Sequence, residues 1–553
     1  MRNHFIVISG LATCALLASC GTPSDQGAEQ PTQTEAFDML TTPVGAVAFA
    51  TSCNEDATEL VERGVGLTHH MMYDEANFVF GMAGNADPDC AMANWGQAMT
   101  IINPLWPTTP SDEKMRRGAE LVETALSQSS ATDRERAYIE TAAAYFVDGI
   151  ERSKGERLQR FQDAWRILHE THPDDADAEA FYLLASLATA NPNDRTLSVQ
   201  RQVSEALDRL LETHPDHPGM LHYFIHANDY PELANDALTV ADHYGDITPR
   251  VPHATHMMTH IYTRLGLWDK AIEWNGVSAE TALTICRETG TINGHYTHAL
   301  DYLAYAYLQI GDDASVMEIM ETTGDLRPPY SGNLHTSAYA LSAIPARFAL
   351  ERRDWQEAAQ LTPRAPADFP WSEVFEPYIA ITHFARAIGL ARSGKPEQIE
   401  RELVALAELR DSVASRNGYW AQQIEIQIQA ADAWRLYALG ETEDGLSRMK
   451  AAADLAMTTE KHAITPGEVL PTSELLGDML YEDEMYTQAL AAYEQSLNRS
   501  PGRLNSLHGA ARAAGQAGQS NLATKYYQTI ADMTEGVEAS RSTVLEARDA
   551  LSK

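Results

Sequence analysis

The sequence is short of positive charge. Its 553 residues carry 41 Lys and Arg against 78 Asp and Glu, for a net charge of −37. That balance excludes nucleic acid as a partner, because neutralising phosphates needs basic patches and none is present. It reads instead as a solvated acidic surface that keeps a long chain in solution. Cysteine is scarce as well. There are five, none in a C-x-x-C pair, which excludes a zinc ribbon or a thioredoxin-like redox motif. Several signatures of chemistry are missing: no P-loop, no G-x-G-x-x-G following a strand and no G-x-S-x-G elbow. H-E-x-x-H is absent too, since His253-Ala254-Thr255-His256 has no Glu between its histidines, and this argues against a zinc peptidase. Alternating strand patterns are lacking, and no apolar run is long enough to span a bilayer.

What is present begins with a targeting signal. Met1 to His4 supply a short, positively charged start, and Phe5 to Leu17 form an apolar stretch. Leu17-Ala18-Ser19-Cys20 then matches the bacterial lipobox, in which the small residues suit the peptidase and Cys20 carries the lipid. The expectation is a signal peptide over 1–20 and a flexible tether over 21–45, rich in Gly, Pro, Ser, Thr, Gln and Glu. Gly21, in place of Asp, favours the outer membrane, and the expected location is the bacterial cell envelope, facing the periplasm. The lipid is then the only anchor. In an oxidising compartment Cys53 and Cys90 are a plausible disulfide, and Cys286 reads as a small core residue.

From there onward apolar residues recur at i, i+3, i+4 and i+7, and Ala is abundant, which predicts an all-α chain. Near the C-terminus Leu476-Gly477, Ala489, Tyr493 and Pro501 fit the small, small, aromatic and Pro spacing of a tetratricopeptide repeat. Ala511, Ala523 and Tyr527 repeat it 34 residues on. Small residues let the two helices of a hairpin approach closely, and the aromatic fills the next groove. Degenerate turn phrases recur upstream at about 40 to 46 residues: Leu265-Gly266-Leu267-Trp268, Ile310-Gly311-Asp312, Arg353-Asp354-Trp355, Ser393-Gly394-Lys395 and Leu439-Gly440-Glu441. Val61–Gly81 and Asp89–Ile102 read as a first helical hairpin. The expected architecture is an α-solenoid of helical hairpins. It divides into a 46–330 N-terminal and central region and a 331–553 C-terminal repeat region.

Ten of the nineteen histidines lie between His214 and His298. His222 and His226 are four apart, His253, His256 and His260 are spaced three and four, and His295 and His298 are three apart, so each set shares a helix face. Neutral imidazoles at such spacings deliver paired nitrogens to a transition metal such as Zn, Cu, Fe or Ni. All seven are candidate metal ligands. His69, Asp229, Asp242 and Asp301 are candidates to complete the ligand set or to orient ring N–H groups. Two other readings stay open: a metal-free polar groove for a peptide or small ligand, and a purely structural histidine network.

The phrases HYFIHANDYPELA, PHATHMMTHIYTRLGLW and DPDCAMANWG, with RERAYI and KHAITPGEVLPTSELLGDML, resemble a family of bacterial tetratricopeptide-repeat proteins, often secreted or lipid-anchored. The resemblance runs from about Phe49 to the C-terminus. It places His69 at a position where the family usually carries histidine. One departure is His256-Met257-Met258-Thr259-His260-Ile261, where the family generally reads H-M-P-S-H-I; without the proline a kink determinant is gone. The resemblance implies a helical-repeat superhelix and points to the histidine stretch, but it implies no reaction. The leading expectation is a lipid-anchored periplasmic repeat protein. Its histidine-lined central groove binds a peptide, protein or small-molecule ligand, with a transition metal as the candidate mediator. The alternatives are a protein–protein scaffold in the cell envelope and a metal-dependent enzyme.

Overall fold

A computed structural model describes residues 36–106, 109–192, 194–538 and 540–552. Cys20 and the expected signal peptide over 1–20 lie outside the described residues. The fold is all-α, built from antiparallel helical hairpins. The one sheet among the described residues is a parallel pair, Ile292–Asn293 with Tyr330–Ser331. No described helix is long and apolar enough to cross a membrane. The described chain separates into two compact units, Phe37–Arg264 and Leu265 onward. The 46–330 span read from the sequence runs across that divide.

In the first unit, successive helices run from Glu55–His69 through Pro218–Asn228 to Leu238–Ile247 and Pro252–Leu265. Their starts follow from local chemistry. Asn54 accepts the Ala57 N–H, and Thr132 with Glu135 and Ser153 with Glu156 form reciprocal capping boxes. Cys53 and Cys90 are joined by a disulfide that ties the start of helix Glu55–His69 to the start of helix Ala91–Ile102. Trp95 and Trp165 are fully buried and pack edge-on against Tyr138.

Two expectations need correction here. The described end of the 21–45 stretch is packed, not loose. Phe37 and Val44 are buried, and the Arg63 guanidinium donates to the carbonyls of Met39 and Thr42. The Gly- and Pro-rich composition masked these two apolar anchors. Val61–Gly81 is also not one helix. The chain breaks at His70–Met72, with Met71 at a left-handed φ of 57°, because His70 is drawn into hydrogen bonds with distant partners described below.

In the second unit the turn phrases sit between paired helices. Gly311 joins Gly294–Ile310 to Asp313–Gly324, Arg353 joins Leu334–Glu351 to Trp355–Gln360, and Gly440 joins Gly418–Ala438 to Thr442–Ala456. Each places a residue with φ between 58° and 87° where the chain reverses. Tyr493 lies between helices Thr472–Glu482 and Leu504–Gln516. A Cβ at Gly477 or Gly509 would come within 2.7 or 2.3 Å of its ring, so the repeat's small positions exist to admit the aromatic. Its hydroxyl donates to Asp478 at 2.7 Å. Cys286 is a buried residue whose sulfur accepts the Asn293 N–H at 3.2 Å.

Candidate functional site

Five of the seven candidate ligands fall in the first unit, on two helices. Helix Pro218–Asn228 starts with proline in its first turn and is capped by the His217 ring, which accepts the Met220 N–H. It carries His222 and His226. Helix Pro252–Leu265 runs unbroken, and its residues Pro252 to Arg264 are all buried. It carries His253, His256 and His260. The five rings form a closed circuit. Centroid separations are 4.8 Å for His222–His226, 6.3 Å for His226–His260, 4.9 Å for His260–His256, 6.1 Å for His256–His253 and 5.2 Å for His253–His222.

Hydrogen-bond accounting sorts the buried histidines of this unit into two kinds. His69, His70 and His217 have both ring nitrogens engaged. His69 Nε2 donates to Asp177 at 2.8 Å and its Nδ1 accepts from the Tyr223 hydroxyl at 2.9 Å. His217 Nε2 donates to the same Asp177 oxygen at 3.2 Å. His70 Nε2 donates to the Val44 carbonyl and its Nδ1 accepts from Tyr244 at 2.6 Å. Burial disfavours the charged carboxylate of Asp177, yet the hydrogen bonds from His217 and His69 outweigh it and hold the pKa below the ordinary value. These hydrogen bonds engage both ring nitrogens of His69 and of His217. Gly219 lets them form, for a Cβ there would lie 2.3 Å from His69 Nδ1.

His222 is of the other kind. Its Nδ1 donates to the His69 carbonyl at 2.6 Å, which fixes the tautomer and leaves a lone pair on Nε2. That Nε2 is fully buried and has no hydrogen-bond partner. Burial, reinforced by neighbouring His226, pushes the His222 pKa well below its ordinary value and keeps the ring neutral. One ligand nitrogen from each of His222, His226 and His253 lies within 4.8 Å of the others.

His260 is fixed in the same manner from the opposite side. Its Nδ1 donates to Asp229 Oδ2 at 2.9 Å, and Asp229 is in turn held by Arg264, with Nε at 2.8 Å from Oδ1 and Nη2 donating to the Asp229 carbonyl. His260 Nε2 and His256 Nε2 are 3.1 Å apart. Asp229 therefore orients an imidazole of the circuit. Asp242 accepts a hydrogen bond from Tyr262 at 2.6 Å.

The remaining candidates belong to the second unit. His295 and His298 lie on helix Gly294–Ile310, His298 buried with its ring against Tyr302, and burial lowers the His295 pKa to about 4. Asp301 is an ion-pair residue. Its Oδ1 takes the Arg347 guanidinium at 2.5 Å, and burial raises its pKa to about 6 despite that cation. Sequence reasoning missed Asp177, Tyr223 and Tyr244. These partners lie 108, 154 and 174 residues from the His69-His70 pair they meet.

No family profile matches the sequence, and no curated protein sequence matches it. Solved structures of similar fold include Cut9–Hcn1 of the APC/C (TM-score 0.35, 14% identity, 90% of this chain and 76% of that one). Others are the TPR domain of P58(IPK) (0.20, 12%, 90% and 98%) and yeast Tom70 (0.30, 12%, 90% and 96%). At these TM-scores the likeness assigns no function to any residue here.

Proposed function

We propose that this protein is a helical-repeat binding protein whose functional centre is a transition-metal site held by His222, His226 and His253. The observation that carries the reading is His222. Its Nδ1 is tied to a backbone carbonyl, its Nε2 is buried and unpartnered, and two more imidazoles stand beside it. A buried polar atom left without a partner costs about 1–3 kcal/mol, and an ion bound to the lone pair removes that cost. The donor set is imidazole nitrogen throughout, which suits Zn, Cu, Ni or Fe and not Mg or Ca. Three nitrogens also leave a coordination position for a bound molecule. Metal analysis of protein loaded with Zn(II) and then desalted tests this. One or more tightly held ions per chain is expected, with the triad ion lost in His222→Ala/His253→Ala; metal-free wild-type protein would end the reading.

A second reading, a protein–protein scaffold, is supported by a groove in the second unit. It is lined by Tyr339, Phe384, Tyr419, Trp420, Ile424 and Val469. Aromatic-lined grooves of this kind suit a partner segment. Trp420→Ala should release an envelope partner recovered with the wild-type chain, and a partner retained by that variant would count against the groove. The lipobox-like Leu17-Ala18-Ser19-Cys20 supports a lipid anchor at a membrane, facing the periplasm. Cys20→Ser should move it from the membrane to the soluble fraction, and continued membrane association would remove the lipid anchor from the account.

A further inference from the structure

We infer that the five-imidazole circuit is a dinuclear centre, in which His222, His226 and His253 hold one ion and His256 and His260 hold a second beside it. The inference rests on the metal reading above and extends it from one ion to two. Ring spacing is what separates the sets. Two imidazoles on one tetrahedral ion, with metal–nitrogen bonds of about 2.0–2.1 Å, have ring centroids about 5 Å apart. Within the proposed sets the separations are 4.8 and 5.2 Å for the triad and 4.9 Å for the pair. Across the sets they widen to 6.1 and 6.3 Å. The circuit is thus pinched into a three and a two.

The pair has its own ligand geometry. Nitrogens sharing a tetrahedral ion sit about 3.4 Å apart, and His256 Nε2 and His260 Nε2 are 3.1 Å apart. Without an ion the His256 Nε2–H bridges them; with one, that proton shifts to His256 Nδ1 and both Nε2 lone pairs face the metal. Asp229 donates nothing to the ion. It accepts the His260 Nδ1 proton and is itself anchored by Arg264, the carboxylate–histidine arrangement that fixes a ligating ring and raises its basicity. The triad has a different support, the His69 carbonyl on His222 Nδ1. Two sets with separate anchors on the same two helices imply two adjacent ions, the spacing at which a single small ligand or water can bridge both.

The test is stoichiometry and magnetic coupling on the full chain. Wild-type protein titrated with Cu(II) is expected to take two ions. Their spin signal should fall well below that of two isolated coppers, because neighbouring ions couple. His256→Ala/His260→Ala should bind one copper with a full, uncoupled signal, and Asp229→Asn should weaken only the second ion, by about 10–100-fold. Circular dichroism of each variant checks that the helices persist. Should the pair variant not fold, the coupled signal of wild-type protein alone decides. One copper in wild-type protein with an uncoupled signal overturns the dinuclear centre and leaves the single-metal reading standing. No copper in wild-type protein overturns both.

Discussion

The two units bury polar groups by different means. The Leu265-onward unit buries charge against charge. Arg503 lies between Glu351 at 2.8 Å and Glu474 at 2.9 Å, all essentially inaccessible, and Arg347 pairs with Asp301 while donating to Thr465 and the Gly467 carbonyl. Asn505 and Ser506 add hydrogen bonds to the same two glutamates. These are locks that hold the Thr465–Gly467 segment and helix Leu504–Gln516 in register. The Phe37–Arg264 unit also pairs Asp229 with Arg264, and gathers buried imidazoles around that pair. Where its rings act as hydrogen-bond links, both nitrogens are engaged, as in His69, His70 and His217. Where they meet in the five-ring circuit, His222 holds a nitrogen in reserve. Burial alone does not tell the two uses apart; the partner of each ring nitrogen has to be followed atom by atom.

The largest effect that would sharpen this contrast comes from cutting a lock. Arg503→Leu strands two buried carboxylates and should cost about 3–5 kcal/mol. Native-state hydrogen exchange should show the loss in helices Leu504–Gln516 and Thr472–Glu482, with Pro218–Asn228 and Pro252–Leu265 unchanged. Equal loosening of both pairs of helices would mean that the two units do not store stability separately, and the comparison would fail.

Much of this was readable from the chain. Turn phrases such as Ile310-Gly311-Asp312 located hairpins because a left-handed residue must end a helix there. Tyr493 and its small partner Gly477 announced one repeat's packing. Histidine spacing placed His222 with His226, and His253 with His256 and His260, since helical periodicity is local. What remained hidden is what is not local. That His69 serves the Asp177 network, that Asp301 answers to Arg347, and that Phe37 and Val44 anchor an apparent tether all depend on partners far along the chain. No periodicity encodes those pairings. The division of five histidines into three and two was hidden for the same reason: it arises from how two helices face one another.

A smaller and graded effect, in acid, opposes the two kinds of burial directly. His70 is held neutral by burial, its pKa pushed down from 6.5 to about 3, and those of His69 and His222 are also lowered. Below pH 6.5 the unfolded chain takes up protons on these rings that the folded unit refuses, so stability falls as pH drops. For His70 the loss runs from 6.5 down to about 3, at about 1.4 kcal/mol per pH unit. Asp301 has the reverse sign. Its pKa is raised from 3.8 to about 6, so its burial is costly at neutral pH and that cost is relieved as pH falls from 6 toward 3.8. Hydrogen exchange at pH 7 and pH 5 should therefore show the Phe37–Arg264 helices loosening, with the neighbourhood of Asp301 on helix Gly294–Ile310 spared. His70→Phe, which keeps a ring of similar size against Tyr244, should flatten the acid slope of the first unit by about 1.4 kcal/mol per pH unit. An unchanged slope in that variant would show that the buried imidazoles are not what makes this unit acid-sensitive.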